Sequence, residues 1–590
     1  MATATAERST PRPRSMPWPA ALATVAGLVT AAAALAVLGF LIDGMLSGPV
    51  DWFRLLTSPV WDPARTDFGA AAMLWGTAAV CAIALLVAVP LGWAAAIGLT
   101  ELTPARGARI LRTGVELLAA IPSIVYGLIG IAVLRPVVST VFGTPGGDGL
   151  LTAGLVLAVM VLPTVVAVSV DALSGVAQHT REAAAALGLT RTEVIYSAVL
   201  PEAKPGMRAA VLLGLARALG ETIAVFLVIG RADGRLPAPA DALAALVRPG
   251  QTLTTKLGGP EPVLAGAMGA HRAALSALGL LLFVLVAVIT LVGSHRFKRA
   301  SRHRRLYSSP RWRQSRDRIG VVTLRVAVVV PLLLVAGMFG VLAVRGAMGW
   351  NPGFWLQPAS GASGGGVRDQ ILGTIVLVLG TALLAAPAGL GLGLLIAEYA
   401  GPRTARRLRT ATVTLGGVPS ILLGLVAYDL VVRTLGWGKS WVAGVLALSV
   451  LVVPVAATVT ATRLAALPPA RREAALALGL NRAQFARSVL VPWIAPGLLT
   501  GTLLGLARAA GETAPLLFAA TVFAGAAALP TGIVDTPVMA LPTHVFTLAQ
   551  DSADQAALDA AWGAAFVLVL LSALLLLAAI PARRRMEAHT

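Results

Sequence analysis

Twelve stretches of about 20 or more apolar residues run through the 590-residue chain. Since a bilayer core needs about 20 mostly apolar residues per helix, each stretch is long enough to cross a membrane once. Hydrophobic residues make up 57% of the chain and charged residues only 13%, which excludes an ordinary soluble enzyme and a disordered chain. We therefore predict an all-α polytopic membrane protein whose transmembrane helices lie near 20–42, 70–99, 115–134, 150–171, 208–230, 273–294, 321–343, 371–397, 411–432, 441–460, 497–524 and 560–581.

Basic residues are distributed unevenly between the two sides of these predicted spans. The loops of one side, which include both termini, hold 32 Lys and Arg residues, whereas the loops of the other side hold 12. Because Lys and Arg accumulate in cytoplasmic loops, both termini are predicted to be cytoplasmic. The first apolar run is longer than the hydrophobic region of a signal peptide, so we expect it to be retained as a helix.

The second half of the chain repeats the first. The segment AIPSI at 120–124 returns as GVPSI at 417–421, and REAA at 181–184 returns at 472–475. Both halves hold six predicted spans in the same orientation, which predicts two parallel repeats about an axis along the membrane normal. Other matching pairs are Gly76-Thr77 with Gly373-Thr374, Glu101 with Glu398, Pro163 with Pro454, and Pro201 with Pro492.

These repeats divide the chain into three parts. We predict a first half at 1–294 with its core at about 70–294, a linker at 295–320, and a second half at 321–590 with its core at about 371–582. Ten basic residues lie between 296 and 318. We interpret this linker as a cytoplasmic tether beside anionic lipid headgroups, not as a nucleic-acid site.

Each fifth predicted span contains an Arg and a Glu four residues apart. Charges at this depth are costly and usually mark a functional site, although a purely structural ion pair is the alternative. The spacing puts both side chains on one helix face, close enough to pair, and guanidinium groups match the oxygens of a tetrahedral anion. With the neighbouring threonines as hydroxyl donors, the predicted path residues are Arg217, Glu221, Thr222, Arg508, Glu512 and Thr513.

The loop between the fourth and fifth spans has the same pattern in both halves. It reads Glu-Ala-Ala, three residues, Gly, and then a later Pro, which predicts a short helix, a glycine turn and a second helix. Both loops resemble the EAA coupling loop of ABC importer permeases, in which nine residues, Ile, one residue and Leu-Pro follow the Gly. Here Ala198 and Val489 stand at the Ile position, and Val491 replaces the Leu in the second copy. The resemblance implies the ABC type-1 permease fold and docking on a cytoplasmic ATPase dimer through Glu182, Ala183, Ala184, Gly188, Glu473, Ala474, Ala475 and Gly479.

Other chemistry has little support in the sequence. Gly438-Lys439-Ser440 is the only near match to a phosphate-binding loop, and Arg433 replaces the first glycine that such a loop needs. The six His residues lack metal-ligand spacing, and the lone Cys81 excludes a disulfide framework. We therefore expect no catalytic residues, no metal and no bound cofactor, with ATP used by a partner subunit.

Two segments resemble one importer in particular. GETAPLLF at 511–518 and RALGETIAV at 217–225 are similar to segments of the two permease subunits of phosphate-specific (Pst) ABC importers. Segments 251–255 and 539–546 resemble the external segments of the same subunits. The resemblance covers about 70–294 and 321–582. It implies two usually separate subunits fused in one chain, in a prokaryotic cell membrane, passing phosphate delivered by an external binding protein.

Two alternatives stay open. The first is an ABC permease for another oxyanion, such as sulfate, molybdate or a phosphonate. The second is a secondary transporter without an ATPase, which would have no use for two EAA-like loops. An integral-membrane enzyme is disfavoured because no His, Ser or carboxylate constellation lies at a membrane face.

Overall fold

The computed structural model describes residues 18–104, 107–108, 114–115, 121–234, 236–265, 269–294, 310–360, 364–550 and 554–587. Most of these residues are α-helical, which confirms the predicted fold class. The strands within this part of the chain form two short antiparallel hairpins, Trp61–Asp62 with Asp67–Phe68 and Ala359–Ser360 with Gly364–Gly365.

The main helices of the first half follow the predicted spans and coupling loop in order. They are α1 (Trp18–Leu46), α2 (Ala71–Ile97), α3 (Ser123–Ile129), α4 (Leu150–Ser174), α5 (Gln178–Ala186), α6 (Leu200–Gly220) and α7 (Gly269–Ser294). Shorter helical segments are Trp52–Thr57, Pro63–Arg65, Gly98–Leu102, Gly130–Leu134, Arg135–Phe142, Arg191–Val194, Ile195–Val199, Ile223–Phe226, Pro239–Asp241, Ala242–Ala245, Leu253–Leu257 and Glu261–Leu264.

The second half repeats this series of helices. Its main helices are α8 (Pro310–Arg345), α9 (Arg368–Leu394), α10 (Pro402–Gly417), α11 (Ser420–Ala427), α12 (Trp441–Ala465), α13 (Pro469–Ala477), α14 (Val491–Ala510), α15 (Leu541–Gln550) and α16 (Gln555–Glu587). Shorter helical segments are Ala347–Trp350, Pro352–Leu356, Leu395–Tyr399, Tyr428–Thr434, Arg482–Phe485, Ala486–Leu490 and Ala514–Ala519.

Nine of the described helices are long and apolar enough to cross a membrane. The number is ten if α10 and the helical segment 420–434, which are bent by 94° at their junction, count as one span. The predicted count of twelve is not confirmed. Of the two remaining predicted spans, 20–42 falls within α1 and 208–230 is only partly covered by α6, which carries four charged residues along its length. The helices nevertheless define an integral membrane protein.

The two halves are interlocked by their first helices. α1 packs against α9 of the second half, and α8 packs against α2 of the first half. Glycines permit these crossings, since a Cβ at Gly27 would lie 2.4 Å from Leu395 and a Cβ at Gly98 would lie 2.4 Å from Val328. The same exchange in both directions is the packing expected of two parallel repeats.

The predicted third and fifth spans are broken, not continuous. Val418 has a ψ of 130°, the extended conformation that a residue before proline adopts, so α10 ends there and α11 starts after Pro419. α6 ends at Gly220 because Glu221 is also extended, with a ψ of 130°. The fifth predicted span of the second half, 497–524, is also broken, between the end of α14 at Ala510 and the short helix Ala514–Ala519, but there Gly511 keeps a ψ of −3°.

The predicted linker is described only in part. Residues 310–320 are helical and continuous with the rest of α8, so this part of the linker and the next span form one helix. Residues 295–309, both chain ends at 1–17 and 588–590, and most of 105–120 lie outside the described residues.

Candidate functional site

A cavity of about 380 Å³ lies between the two halves. The four charged residues of the broken fifth spans line it, so the structure brings together Arg217 and Glu221 of one half with Arg508 and Glu512 of the other. The polar residues beside them are Ser123, Thr164, Thr290 and Ser420.

Each half closes the cavity with a proline break that packs on the fifth span of the other half. A Cβ at Gly511 would lie 2.7 Å from Cβ of Pro122, which is too close for any side chain without movement. Gly220 faces Pro419 at a distance of 3.7 Å from a Cβ placed on it, which is ordinary contact. The cavity is therefore built across the interface and needs both halves.

Arg217 is held by a hydroxyl and not by the predicted ion pair. Its Nη1 donates to Oγ1 of Thr164 at 2.7 Å. No ion pair joins Arg217 and Glu221, both of which are described residues. The prediction that they pair on one helix face is wrong, because α6 ends one residue before Glu221.

Arg508 is held less firmly than Arg217. Its Nε lies 3.6 Å from Oε1 of Glu512, which is an ion pair too long for a hydrogen bond. The Arg508 side chain is 57% exposed, whereas that of Glu512 is 15% exposed. The cavity therefore presents one guanidinium that is already engaged and one that is accessible to an anion.

The two predicted threonines lie beside the cavity. Thr222 and Thr513 are 2% and 0% exposed, and neither lines it. Their hydroxyl oxygens have no hydrogen-bond partner among the described residues. The Thr222 side chain packs on Gly258, where a Cβ would lie 2.5 Å from its Cγ2. Contact of either threonine with a substrate stays a prediction.

The predicted external segments bond to the second span of each half, and in the first half also to the helix break. In the first half, Thr254 Oγ1 donates to the carbonyl oxygen of Glu221 at 2.9 Å, and the Leu253 amide donates to Thr77 Oγ1 at 3.0 Å. In the second half, the Leu541 amide donates to Thr374 Oγ1 at 2.9 Å. Each predicted external segment thus bonds to the second span of its own half through a threonine at the equivalent position of the repeat, Thr77 or Thr374.

Sequence reasoning missed two hydroxyls of the cavity. Thr164 binds Arg217, and Thr290 is 4% exposed with its Oγ1 unpartnered among the described residues. The repeat contained a signal for the first, since Val455 stands at the position that matches Thr164. A polar residue that departs from the repeat pattern inside a span would have indicated a role specific to the first half.

The loops between the fourth and fifth spans have the predicted helix, glycine turn and second helix in both halves. Gly188 and Gly479 follow α5 and α13 with φ of +73° and +69°, the left-handed conformation that glycine adopts readily. Glu182 and Glu473 are exposed, while Ala184 and Ala475 are buried.

A further exposed pair in these loops was not predicted. Leu187 and Leu478, each just before the glycine, are 81% and 78% exposed. The matching exposure of these two leucines shows that the repeat extends to the tips of both loops.

Lys439 has a structural role that agrees with our interpretation of its glycine-lysine-serine segment. Its Nζ donates to the carbonyl oxygens of Leu517 at 2.9 Å and Thr521 at 3.3 Å, and burial lowers its pKa. Among the described residues, no group of three or more His, Cys, Asp or Glu side chains is placed to hold a metal ion.

Two parallel sets of membrane helices, a polar cavity between them and a matched pair of protruding loops define a membrane transport component. The family of binding-protein-dependent transport system inner membrane components matches residues 88–302 and 389–586. The chain belongs to this family and contains its domain twice, which confirms the ABC type-1 permease fold.

Curated relatives of two kinds are similar to the chain. The phosphate transport system permease protein PstC of Mesorhizobium japonicum is 37% identical over 266 residues, which cover 42% of this chain and 79% of the relative. The phosphate transport system permease protein PstA 2 of Mycobacterium tuberculosis is 39% identical over 218 residues, covering 37% of the chain and 71% of the relative. The probable ABC transporter permease protein YqgH of Bacillus subtilis is 38% identical over 231 residues, covering 38% and 75%. The chain is thus a PstC-like permease fused to a PstA-like permease.

Proposed function

We propose that this chain is the transmembrane permease of an ATP-driven phosphate importer and forms its translocation path. The observation that carries the proposal is the cavity between the halves, which places two arginines and four hydroxyl-bearing residues around one space. The names of the PstC and PstA relatives support phosphate as the anion. The chain itself binds no cofactor, and ATP is hydrolysed by separate subunits.

The cavity suits a tetrahedral oxyanion. Arg508 supplies an accessible guanidinium, and Arg217 holds a second positive charge nearby with Thr164 fixing its position. Guanidinium groups bind phosphate oxygens in pairs of hydrogen bonds, and hydroxyl groups donate further ones. Glu221 and Glu512 balance the arginine charges, so the anion is bound without being trapped.

In this conformation the cavity lies on the coupling-loop side of the helix breaks. α6 runs from its coupling loop toward Gly220, and the lining residues Leu213 and Ala216 precede that break. Beyond the break, the rings of Phe226 and Phe546 meet across the two halves with centroids 5.5 Å apart. We infer a state closed to the outside, from which phosphate leaves toward the cytoplasm.

The partners follow from this arrangement. An external phosphate-binding protein delivers the anion, and a cytoplasmic ABC ATPase dimer binds the two coupling loops. One fused chain with one ATPase dimer is the natural stoichiometry. Both termini then face the cytoplasm of a prokaryotic cell, and the basic linker lies beside anionic lipids.

The test is uptake of labelled phosphate in proteoliposomes that contain the chain with its cognate ATPase and binding protein. We expect ATP-dependent uptake that unlabelled phosphate blocks and that sulfate and molybdate do not. Uptake of another oxyanion would contradict phosphate but keep the permease, whereas uptake that ignores ATP would contradict the ABC mechanism.

The predicted path residues are tested in the same assay. Arg217→Ala and Arg508→Ala should each abolish uptake while the ATPase still co-purifies. Arg65→Ala is the control, because that side chain is 86% exposed and does not line the cavity. Undiminished uptake in both cavity variants would mean that the arginines are structural.

The coupling loops are tested by the double variant Glu182→Lys and Glu473→Lys. Since both side chains are exposed, the chain should insert normally and lose ATP-dependent uptake. Asp241→Lys, an exposed residue on the opposite side, is the matched charge reversal. Normal transport by the double variant would refute the assignment of these loops.

A further inference from the structure

Each coupling helix is tied to the end of the second span of its own half by a guanidinium–carboxylate pair. In the first half, Arg181 Nη2 lies 2.8 Å and Nε 3.2–3.3 Å from the carboxylate of Glu101. In the second half, Arg472 Nη1 and Nη2 lie 2.7 and 2.9 Å from the two carboxylate oxygens of Glu398. Both arginines directly precede the Glu-Ala-Ala sequence of their loop.

The first of these pairs joins three elements. Arg181 also donates to the carbonyl oxygens of Leu173 at 2.9 Å and Val176 at 2.6 Å, at the end of α4. The Arg181 and Glu101 side chains are only 18% and 10% exposed. Bidentate hydrogen bonding between a guanidinium and a carboxylate fixes their relative orientation, whereas a single exposed ion pair does not.

The second pair stands alone. The Arg472 and Glu398 side chains are 42% and 18% exposed, and the Arg472 guanidinium lies 5.7 Å from the Phe485 ring centre. The hydrogen bonds to Glu398 raise the pKa of Arg472 above its ordinary value. Among the described residues, the Arg472 side chain donates hydrogen bonds to Glu398 alone. Swapping the Arg and the Glu between these two positions therefore removes no other hydrogen bond of Arg472.

The two glutamates occupy equivalent places at the coupling-loop ends of the second spans. Glu101 lies in the segment Gly98–Leu102 that continues α2, and Glu398 lies in Leu395–Tyr399, which continues α9. α2 packs against α6, and α9 packs against α14. α6 carries Arg217 and α14 carries Arg508, so each pair links a coupling helix to the span that supports a cavity arginine.

We propose that Glu101 and Glu398 are positioning residues that transmit movement of the coupling helices to the cavity through Arg181 and Arg472. The inference rests on the proposed function, because it assumes that an ATPase moves these helices. A rigid pair lets the second span follow its coupling helix. Without the pair the helix can move while the span stays, and ATP is hydrolysed without transport.

The experiment uses the full chain reconstituted with its cognate ATPase and binding protein. ATP hydrolysis and phosphate uptake are measured together for Glu398→Arg, Arg472→Glu and the exchanged double variant. We expect each single variant to lower the phosphate transported per ATP at least tenfold while the ATPase still co-purifies. The exchanged variant should recover most of the ratio, because the pair re-forms with its charges reversed.

Two further variants complete the test. Arg487→Glu reverses an exposed charge in the same loop and should leave the ratio unchanged. Glu101→Gln should lower the ratio more than Glu398→Gln. Its partner Arg181 is less exposed than Arg472 and also donates hydrogen bonds to two carbonyl oxygens at the end of α4.

Three outcomes would overturn the inference. Single variants with a normal ratio would show that the pairs are dispensable. An exchanged variant that regains its thermal stability but not its ratio would show a structural role alone. A ratio lowered equally by Arg487→Glu would show a general charge effect. Failure of the unmodified chain to couple ATP to uptake would instead count against the proposed function.

Discussion

Gly220 and Gly511 stand at equivalent positions of the repeat, but the structure gives them different amounts of space, so the same substitution should have different effects at the two sites. A Cβ at Gly511 would lie 2.7 Å from Pro122 Cβ and 3.0 Å from its Cα, about 0.7 Å short of ordinary contact. Since Pro122 is a ring on a fixed backbone, the two halves must separate locally to accept Gly511→Ala. Gly220→Ala meets Pro419 at 3.7 Å and needs no movement.

The size of the effect follows from overpacking. Forcing an extra methyl group into a tight contact costs about 1–3 kcal/mol, which is about a 5- to 150-fold shift between this closed arrangement and others. Backbone strain is a minor part of this cost, because Gly511 has a negative φ of −94° and not the left-handed conformation that favours glycine. Gly220 is the last residue of α6, so alanine there should be neutral or slightly stabilising.

The assay is thermal unfolding of the purified chain in lipid nanodiscs, followed by basal ATP hydrolysis with the cognate ATPase. Gly511→Ala should lower the unfolding midpoint and change the basal ATPase rate, and Gly220→Ala should do neither. Gly511→Ser, which is also too large, should behave like the alanine variant. Equal effects of alanine at the two glycines would refute this reasoning, because they would show that the different distances to Pro122 and Pro419 do not decide the outcome.

Three other outcomes are expected. Thr164→Val should raise the KM for phosphate uptake about tenfold and Thr164→Ser should restore it, since a hydrogen bond to a charged group such as Arg217 contributes about 1.5–3 kcal/mol. Burial alone would raise the pKa of Asp317, but hydrogen bonds from Thr192 outweigh it and lower that pKa. Asp317→Asn should therefore lower the unfolding midpoint at pH 7, and the difference should vanish as the pH falls through the lowered pKa. Gly188→Ala should destabilise the first coupling loop by about 1–2 kcal/mol, as its φ is +73° with open space around it, and a lower unfolding midpoint would report this.

Much of the molecule could be predicted from the sequence because its signals are local. Apolar runs and basic loops reflect the membrane environment, and repeated motifs reflect duplication of one half. All three can be recognised without knowing which helices are in contact. The fold class, the two parallel halves and the helix–glycine–helix coupling loops were predicted in this way. The four charged residues that line the cavity were also identified, since charges are rare in such spans.

The tertiary structure decided what those residues do to one another. Spacing predicted that Arg217 would pair with Glu221, yet the helix ends at Gly220 and the guanidinium turns to Thr164, a residue 53 positions away. Thr222 and Thr513 adjoin the charges in sequence but lie outside the cavity, because the chain direction changes at the break. Glu101 and Arg181 were visible as repeated residues, and only the tertiary structure showed that Arg181 Nη2 lies 2.8 Å from Oε1 of Glu101. Periodicity and spacing report the faces of regular helices, so they fail where a helix stops and distant segments meet.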